Sequence, residues 1–256
     1  MIHPTAIIHP GANIDPTVEV GPYAVIGENV SIDAGTWVGP HTVIEGWTEI
    51  GAENRIYQFA SVGADPQDLK FAGEKSYLKI GDRNRIREFV TIHRGTEDGG
   101  GITRIANDCL LMAYAHVAHD CNLGSHVILA NAATLAGHCE VDDYAILGGL
   151  SAVHQFTRIG CHVMISGGSM VAQDISPYCI AQGDRAEISG INLVGLKRRG
   201  FSEQALAQIK QVYKVVFRQN LRLNEAIEKL DGFDDLTAEA KVFVDFIRNS
   251  QRGIAR

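Results

Sequence analysis

The chain has 256 residues, of which 45% are hydrophobic, and its formal net charge is −7 at pH 7. An acidic balance argues against general nucleic-acid binding, and the five cysteines, an odd number without a CxxC pair, favour a reducing compartment. Without an 18-residue apolar stretch or a basic segment before an apolar run, we expect a cytoplasmic protein with no stable membrane insertion.

From residue 2 to about residue 176, an aliphatic residue recurs every six positions, beginning with Ile2, Ile8 and Ile14. The second residue of each hexad is often Gly, the third is Pro in several early hexads, and the fifth is usually small. An aliphatic and a small residue on either side of a Gly/Pro corner suit a short strand followed by a turn. The period predicts a parallel β-helix in which three hexads close one coil and coils stack about 4.8 Å apart.

Two segments interrupt the hexads. One lies between Val62 and Ile80, and the other, with the sequence DGGGITR, precedes Ile105. The insertions are either tolerated surface loops or loops that reach over a site, since insertions in solenoids tend to gather on the binding face. The hexad pattern alone does not separate these two interpretations.

Three histidines occupy successive coils. The hexads that begin at Val117, Leu135 and Val153 are equally spaced along the chain, so they are predicted to stack on one side of the prism. They place His119, His138 and His154 near one corner, and we expect a ladder of three imidazoles that one chain alone leaves open to water. Such a ladder suits either general acid–base transfer or a three-histidine zinc site. Asp120 beside His119 and the length of the ladder favour acid–base chemistry without a metal.

After about residue 190 the apolar spacing becomes helical. We predict a mainly β chain with a β-helix over residues 1–190 and a small helical domain over residues 191–256. Ser202 is placed as an N-cap before the first helix, and two more helices are expected near residues 224–230 and 238–249. Lys210, Lys214 and Arg218 recur every four residues beside the apolar face. This basic stripe is either a solvated face or a docking surface for an acidic partner.

Several segments carry a more specific resemblance. IYQFASVG, QDLK, TIHRGT, HVAHDC, AVHQF and GLKRRGF, in that order, resemble the UDP-N-acetylglucosamine 3-O-acyltransferases of lipid A biosynthesis, essentially from end to end. The resemblance implies a left-handed parallel β-helix and a homotrimer. It also implies transfer of a 3-hydroxyacyl group from acyl carrier protein to the 3-hydroxyl of UDP-N-acetylglucosamine, without a cofactor.

The resemblance also implies residue roles. His119 would be the general base, Asp120 would orient it, and the backbone N–H of Gly137 would hold the oxyanion. The sugar nucleotide would be bound by Asp68, Lys70, His116, His138, His154, Gln155, Asn192, Arg198 and Arg199. The acyl chain would lie along Gly167, whose lack of a side chain implies a long donor, and near Arg185, where family members often carry histidine. Because an acidic carrier protein is then the expected donor, we hypothesise from its charge that the basic stripe helps to dock it.

Three alternatives remain at this stage. The nearest is an acyltransferase of the same fold that acts on another sugar nucleotide, including N-acylation of an amino sugar. A trimeric zinc carbonic anhydrase would use the histidines as ligands, and metal analysis separates it from the acyltransferase. A non-catalytic scaffold would leave the QDLK and HDC segments unexplained.

Overall fold

The computed structural model describes residues 1–256, and its first part is a stack of very short strands. In chain order the strands are β1 (Ile7–Ile8), β2 (Asn13–Ile14), β3 (Glu19–Val20), β4 (Val25–Ile26), β5 (Val30–Ile32), β6 (Trp37–Val38), β7 (Val43–Ile44), β8 (Trp47–Ile50), β9 (Arg55–Ile56), β10 (Ser61–Ala64), β11 (Tyr77–Ile80), β12 (Arg85–Ile86), β13 (Thr91–His93), β14 (Ile102–Ile105), β15 (Leu110–Leu111), β16 (His116–Val117), β17 (Asn122–Leu123), β18 (Ile128–Leu129), β19 (Thr134–Leu135), β20 (Glu140–Val141), β21 (Ile146–Leu147), β22 (Ala152–Val153), β23 (Arg158–Ile159), β24 (Met164–Ile165), β25 (Met170–Val171), β26 (Cys179–Gln182) and β27 (Glu187–Ile191). A 3₁₀ turn at Glu97–Gly99 lies within the second insertion.

The strands form three sheets, and each strand up to β22 pairs in parallel with the one three places further along the chain, whereas β24 pairs with β26 and β26 pairs antiparallel with β27. Sheet 1 runs from β1 through β4 to β25, sheet 2 from β2 to β23, and sheet 3 from β3 to β26 and β27. Val117 pairs with Leu135, and Leu135 pairs with Val153, in parallel register. Three hexads therefore close one coil, as the period predicts. We name the turns that follow the strands of sheets 1, 2 and 3 the first, second and third corners.

The hexad positions have distinct places in the prism. First-position residues such as Val117 and Leu135 are fully buried, and so are small fifth-position residues such as Ala133 and Cys139. Fourth-position residues take positive φ and turn the chain at the corners, as Asp120 (φ 58°) and His138 (φ 62°) do. A left-handed backbone is uncommon for residues with a side chain, so the stacked coils must hold it in place.

Four helices follow the last coil: α1 (Leu193–Arg198), α2 (Glu203–Arg218), α3 (Leu223–Asp231) and α4 (Ala238–Arg248). The Ser202 side chain accepts from the backbone N–H of Ala205, so the predicted N-cap is confirmed. The helices share a second hydrophobic core with Tyr178 and Cys179 of the last coil. No helix has both the length and the apolar character needed to cross a membrane.

The C-terminal segment folds back onto the β-helix. The backbone N–H of Asp174 donates to the carbonyl of Gly253, and the N–H of Ala255 donates to the carbonyl of Asp174. The Ser250 hydroxyl adds a bond of 2.7 Å to the Asp174 carboxylate. These contacts hold the segment against the turn that follows β25, at the first corner.

Candidate active site

The first corner holds the polar residues that the sequence singled out. His119 and Asp120 follow β16, and Gly137 and His138 occupy the same turn one coil later, after β19. One further coil along, His154 and Gln155 follow β22. The regular stacking of coils thus brings residues from three hexads to one edge.

His119 and Asp120 form a hydrogen-bonded pair. The Nδ1 atom of His119 is 2.8 Å from Oδ2 of Asp120, and Nε2 has no partner in the chain. A carboxylate can only accept, so Nδ1 carries the proton and Nε2 presents a lone pair. The side chain of Asp120 is 1% exposed and that of His119 is 12% exposed. The pair is therefore a sheltered imidazole with one nitrogen free to take a proton.

Thr96 completes the environment of the Asp120 carboxylate. The Thr96 hydroxyl donates to Oδ2 at 2.6 Å and its backbone N–H donates to Oδ1 at 2.9 Å. Burial disfavours the charged form of Asp120, but the hydrogen bonds from His119 and Thr96 outweigh it and lower the pKa of this carboxyl. Asp120 is consequently ionised at neutral pH and holds the imidazole in one orientation.

Gly137 lies directly against the imidazole of His119. A Cβ atom at Gly137 would lie 2.5 Å from Cε1 and 2.7 Å from Nε2 of His119, well inside van der Waals contact. The backbone N–H of Gly137 donates to no acceptor in the chain. Gly137 therefore packs against the ring that carries the free Nε2, and its own N–H is unpaired; the oxyanion role stays a prediction.

The expected ladder of three imidazoles is wrong in its third member. The rings of His119 and His138 are 5.0 Å apart between centroids and perpendicular, but His138 stacks on Phe156 at 4.2 Å. Phe156 shares the fourth hexad position with His138, whereas His154 is a second-position residue that leaves the coil before the corner. His154 instead has its Nδ1 atom 3.2 Å from the guanidinium of Arg252.

The same difference bears on the zinc alternative. The ligand atoms that come within 4.8 Å of one another belong to His119, Asp120 and His138, so His154 is not among them. Within that group, the Nδ1 atom of His119 is already engaged by Asp120. The three-histidine ligand set of the carbonic anhydrase alternative is therefore not assembled in this chain.

Both insertions reach the first corner and form a cleft of about 340 Å³, which we name the insertion cleft. Its lining residues are Asp68, Lys70, Phe71, Ala72, Gly73, Glu74, Thr96, Glu97 and Asp98. The Lys70 ammonium lies 3.5 Å from the Asp98 carboxylate, which joins the two insertions across the cleft. A side chain at Gly99 would collide with the Asp120 carboxylate, so the second insertion packs onto the pair. The insertions are thus site-covering loops.

The segment TIHRGT supplies residues whose contribution the sequence did not reveal. His116 bonds to the Thr91 hydroxyl at 2.7 Å and meets His93 with its ring at 5.0 Å. Burial, with His116 as a second cause, lowers the pKa of His93 to about 4, and burial likewise lowers the pKa of His116 and His138. The buried Arg94 donates to the Gly63 carbonyl at 2.6 Å and fixes the base of the first insertion. The sequence showed the TIHRGT segment, but the contacts of Thr91, His93 and Arg94 with distant residues arise only in the folded structure.

Other predicted residues lie at different corners of the same chain. The guanidinium of Arg199 lies 3.8 Å from the ring centroid of Tyr144 at the second corner, and Arg198 precedes it. Asn192 caps α1 and donates to the His162 carbonyl there. Gly167 is exposed at the third corner. A single chain therefore does not bring the predicted nucleotide and acyl-chain residues to His119.

The remaining predicted residues lie toward the C-terminal end. Arg185 lines a groove beside sheet 1, and the exposed Gln155 lies next to His154 at the first corner. The three members of the basic stripe are exposed on α2. Arg218 also bonds to the Tyr213 hydroxyl at 2.8 Å. The stripe is thus accessible to a partner, although one of its cations has an intramolecular contact.

Comparison with known proteins gives one consistent family. A family model described as UDP N-acetylglucosamine O-acyltransferase, domain 2, matches residues 174–255. The acyl-[acyl-carrier-protein]–UDP-N-acetylglucosamine O-acyltransferase of Myxococcus xanthus is 53% identical over 255 residues, which cover 100% of this chain and 99% of that protein.

Solved structures agree over the whole chain. LpxA from Acinetobacter baumannii has a TM-score of 0.97 at 42% identity and covers 100% of this chain and 99% of its own. The UDP-N-acetylglucosamine acyltransferase of Arabidopsis has a TM-score of 0.88 at 35% identity and covers 100% of both chains. The neighbours at a TM-score of 0.97 are left-handed β-helices, so the predicted hand of the coil is confirmed.

Proposed function

This chain belongs to the acyl-[acyl-carrier-protein]–UDP-N-acetylglucosamine O-acyltransferases of lipid A biosynthesis, and from this premise we propose its reaction and mechanism. It transfers a 3-hydroxyacyl group from acyl carrier protein to the 3-hydroxyl of UDP-N-acetylglucosamine, with His119 as the general base. The observation that carries the proposal is the His119–Asp120 pair, whose imidazole has a free Nε2 atom and packs against Gly137. No metal or other cofactor takes part in the proposed steps.

The chemistry proceeds through two proton transfers at one nitrogen. Nε2 of His119 removes the proton from the sugar 3-hydroxyl while that oxygen attacks the thioester carbonyl carbon. The carbonyl oxygen becomes an oxyanion and accepts from the N–H of Gly137. The tetrahedral intermediate then expels the thiolate of the carrier arm, and the imidazolium returns the proton to that sulfur. Asp120 stabilises the imidazolium through its bond to Nδ1.

The sugar of the acceptor binds on the N-terminal side of His119 in this proposal, and its diphosphate extends toward the coils of His138 and His154. Asp68 and Lys70 line the insertion cleft, which shares Thr96 with the Asp120 environment, and they contact the sugar. His138 lies next to His119 and is poised as a neutral hydrogen-bonding group, because burial lowers its pKa. His116, His154 and Gln155 complete the sugar and diphosphate pocket.

A homotrimer explains why the predicted residues are spread over three corners. We place the second corner of one chain close to the first corner of its neighbour in a cyclic trimer, so that Asn192, Arg198 and Arg199 meet the nucleotide across the interface. An exposed ladder of stacked aromatic residues along the third corner also suits burial between chains, as Phe59 on Phe89 and Phe89 on Tyr114 illustrate. An active monomer in sedimentation analysis would exclude this arrangement.

The acyl chain and the carrier protein of the donor are bound away from the His119–Asp120 pair. The acyl chain lies along the coils past Gly167, which offers an open path, with Arg185 near its end. The basic stripe on α2 docks the acidic carrier protein by charge complementarity. The reaction belongs in the cytoplasm, where an acyl carrier protein is available to a protein without a membrane-spanning helix.

Product identification tests this function. The purified chain would be given a mixed pool of acyl carrier proteins and sugar nucleotides, and the product analysed by mass spectrometry and NMR. We expect a 3-hydroxyacyl ester at the 3-hydroxyl of UDP-N-acetylglucosamine. An amide product would favour N-acylation of an amino sugar. No acyl transfer, together with CO₂ hydration that is lost on exhaustive chelation and restored by Zn²⁺, would instead favour the zinc enzyme.

A further inference from the structure

Arg252, in the segment that folds back onto the β-helix, has no carboxylate partner within reach of an ion pair. Its guanidinium lies 3.2 Å from Nδ1 of His154 and donates to the carbonyl of Ala172, also at 3.2 Å. The residue is exposed. Neither contact is a carboxylate, so most of its charge and several N–H groups remain available to an anion.

The guanidinium stands between two openings of the surface. On one side is a groove of about 620 Å³ with an apolar wall that includes Val153, Met170 and Ala186. On the other side is a cleft of about 530 Å³ that reaches His138 and Phe156 beside the catalytic pair. A ligand that follows the first corner from the helical domain toward His119 must pass this cation.

The spacing along the coils fits a particular ligand. Val117, Leu135, Val153 and Val171 are paired in register, so Ala172 lies three coils beyond the coil of His119. Three steps of 4.7 to 4.9 Å give roughly 14 Å between these levels. A pantetheine arm has about 13 bonds from sulfur to phosphorus, slightly more than the backbone of four residues, and spans roughly 16 Å when extended, enough to cover this distance. An arm with its thioester at His119 would therefore bring its phosphodiester to the level of Ala172.

We propose that Arg252 binds the phosphodiester at the base of the donor's pantetheine arm. This inference rests on the proposed function, since it needs a carrier-bound thioester as the donor. The acceptor's diphosphate, whose proposed pocket includes His154, is the competing phosphate, and the KM for UDP-N-acetylglucosamine distinguishes the two sources in the test. A guanidinium matches the geometry of phosphate oxygens and forms charge-assisted hydrogen bonds with them.

The test compares two small donors that differ only in the phosphate. Wild type and Arg252→Gln would each be assayed with 3-hydroxyacyl phosphopantetheine and 3-hydroxyacyl pantetheine. We expect wild type to prefer the phosphorylated donor by roughly 10- to 100-fold in kcat/KM, the usual effect of a charge-assisted hydrogen bond. Arg252→Gln should reduce that preference to near one while the KM for UDP-N-acetylglucosamine changes less than twofold.

Arg248→Gln is the matched control, because Arg248 is a nearby exposed arginine that is already paired with Asp231 and Asp245. It should retain the wild-type preference. A preference unchanged in Arg252→Gln overturns the proposal, and so does a raised KM for the sugar nucleotide with the donor preference intact. Wild type that transfers no acyl group from any donor would instead refute the proposed function, so the two failures are distinguishable.

Discussion

Replacing Gly137 by alanine perturbs the catalytic pair through a single methyl group. The added Cβ would lie 2.5 Å from Cε1 of His119, whereas ordinary contacts begin near 3.4 Å, so the imidazole must move by about 1 Å. A misplacement of that size costs roughly 100-fold in rate. Forcing the methyl into the packed turn should also destabilise the fold by about 2 kcal/mol, the usual cost of overpacking.

The assay combines kcat/KM with thermal unfolding in a double-mutant cycle. Gly137→Ala should lower kcat/KM about 100-fold and lower Tm, but in a His119→Ala background it should leave Tm nearly unchanged, because the clashing ring is gone. Gly149→Ala is the matched control: Gly149 is a third-position glycine of the same coil, where a Cβ meets only the Asn131 backbone, with the carbonyl oxygen at 3.2 Å. Equal Tm losses in both backgrounds, or an unchanged kcat/KM, would refute the proposed contact between Gly137 and the base.

Three further predictions concern the environment of this pair and the donor. Thr96→Val removes a hydroxyl that donates to Asp120, so it should lower kcat/KM about tenfold and shift the acid limb of the pH–rate profile. Thr96→Ser keeps the hydroxyl and should retain the wild-type kcat/KM and pH–rate profile. Equal effects of the two substitutions would contradict this role of the hydroxyl. Charge reversal of the whole basic stripe should raise the KM for the carrier-bound donor in a salt-dependent way and leave sugar-nucleotide binding unchanged; an unaltered donor KM would identify the stripe as a solvated face. Gly167→Met should move the preference to a donor shorter by three or four methylenes, about 2.5 to 3 kcal/mol or 100-fold in selectivity, and an unmoved length profile would rule out this stop.

The coil architecture was predictable because one rule acts at every hexad. Each first-position aliphatic residue must be buried, so the spacing alone sets the three sheets and their register, as the pairing of Val117 with Leu135 shows. The amphipathic spacing and the Ser202 cap likewise located α2. The short helix α1 has too few turns for a periodic signal, and it was not predicted.

The site was less predictable, because it depends on the direction of single side chains and on contacts distant in sequence. The ladder prediction placed His154 beside His138, but a second-position residue leaves the coil before the corner, and Phe156 takes that place. Thr96 reaches Asp120 across 24 residues only because the second insertion folds back onto the coil. A hexad pattern contains no information on either effect.

The turnover of His119→Ala tests general-base catalysis by His119 most directly. Its substrates would be a 3-hydroxyacyl carrier protein and UDP-N-acetylglucosamine, and circular dichroism would verify that the variant is folded. Loss of the base should reduce kcat by about 10² to 10⁴-fold, and the fold should persist because the imidazole lies at a corner outside the hydrophobic core. A folded His119→Ala variant that keeps more than about a tenth of the wild-type rate would contradict general-base catalysis by His119.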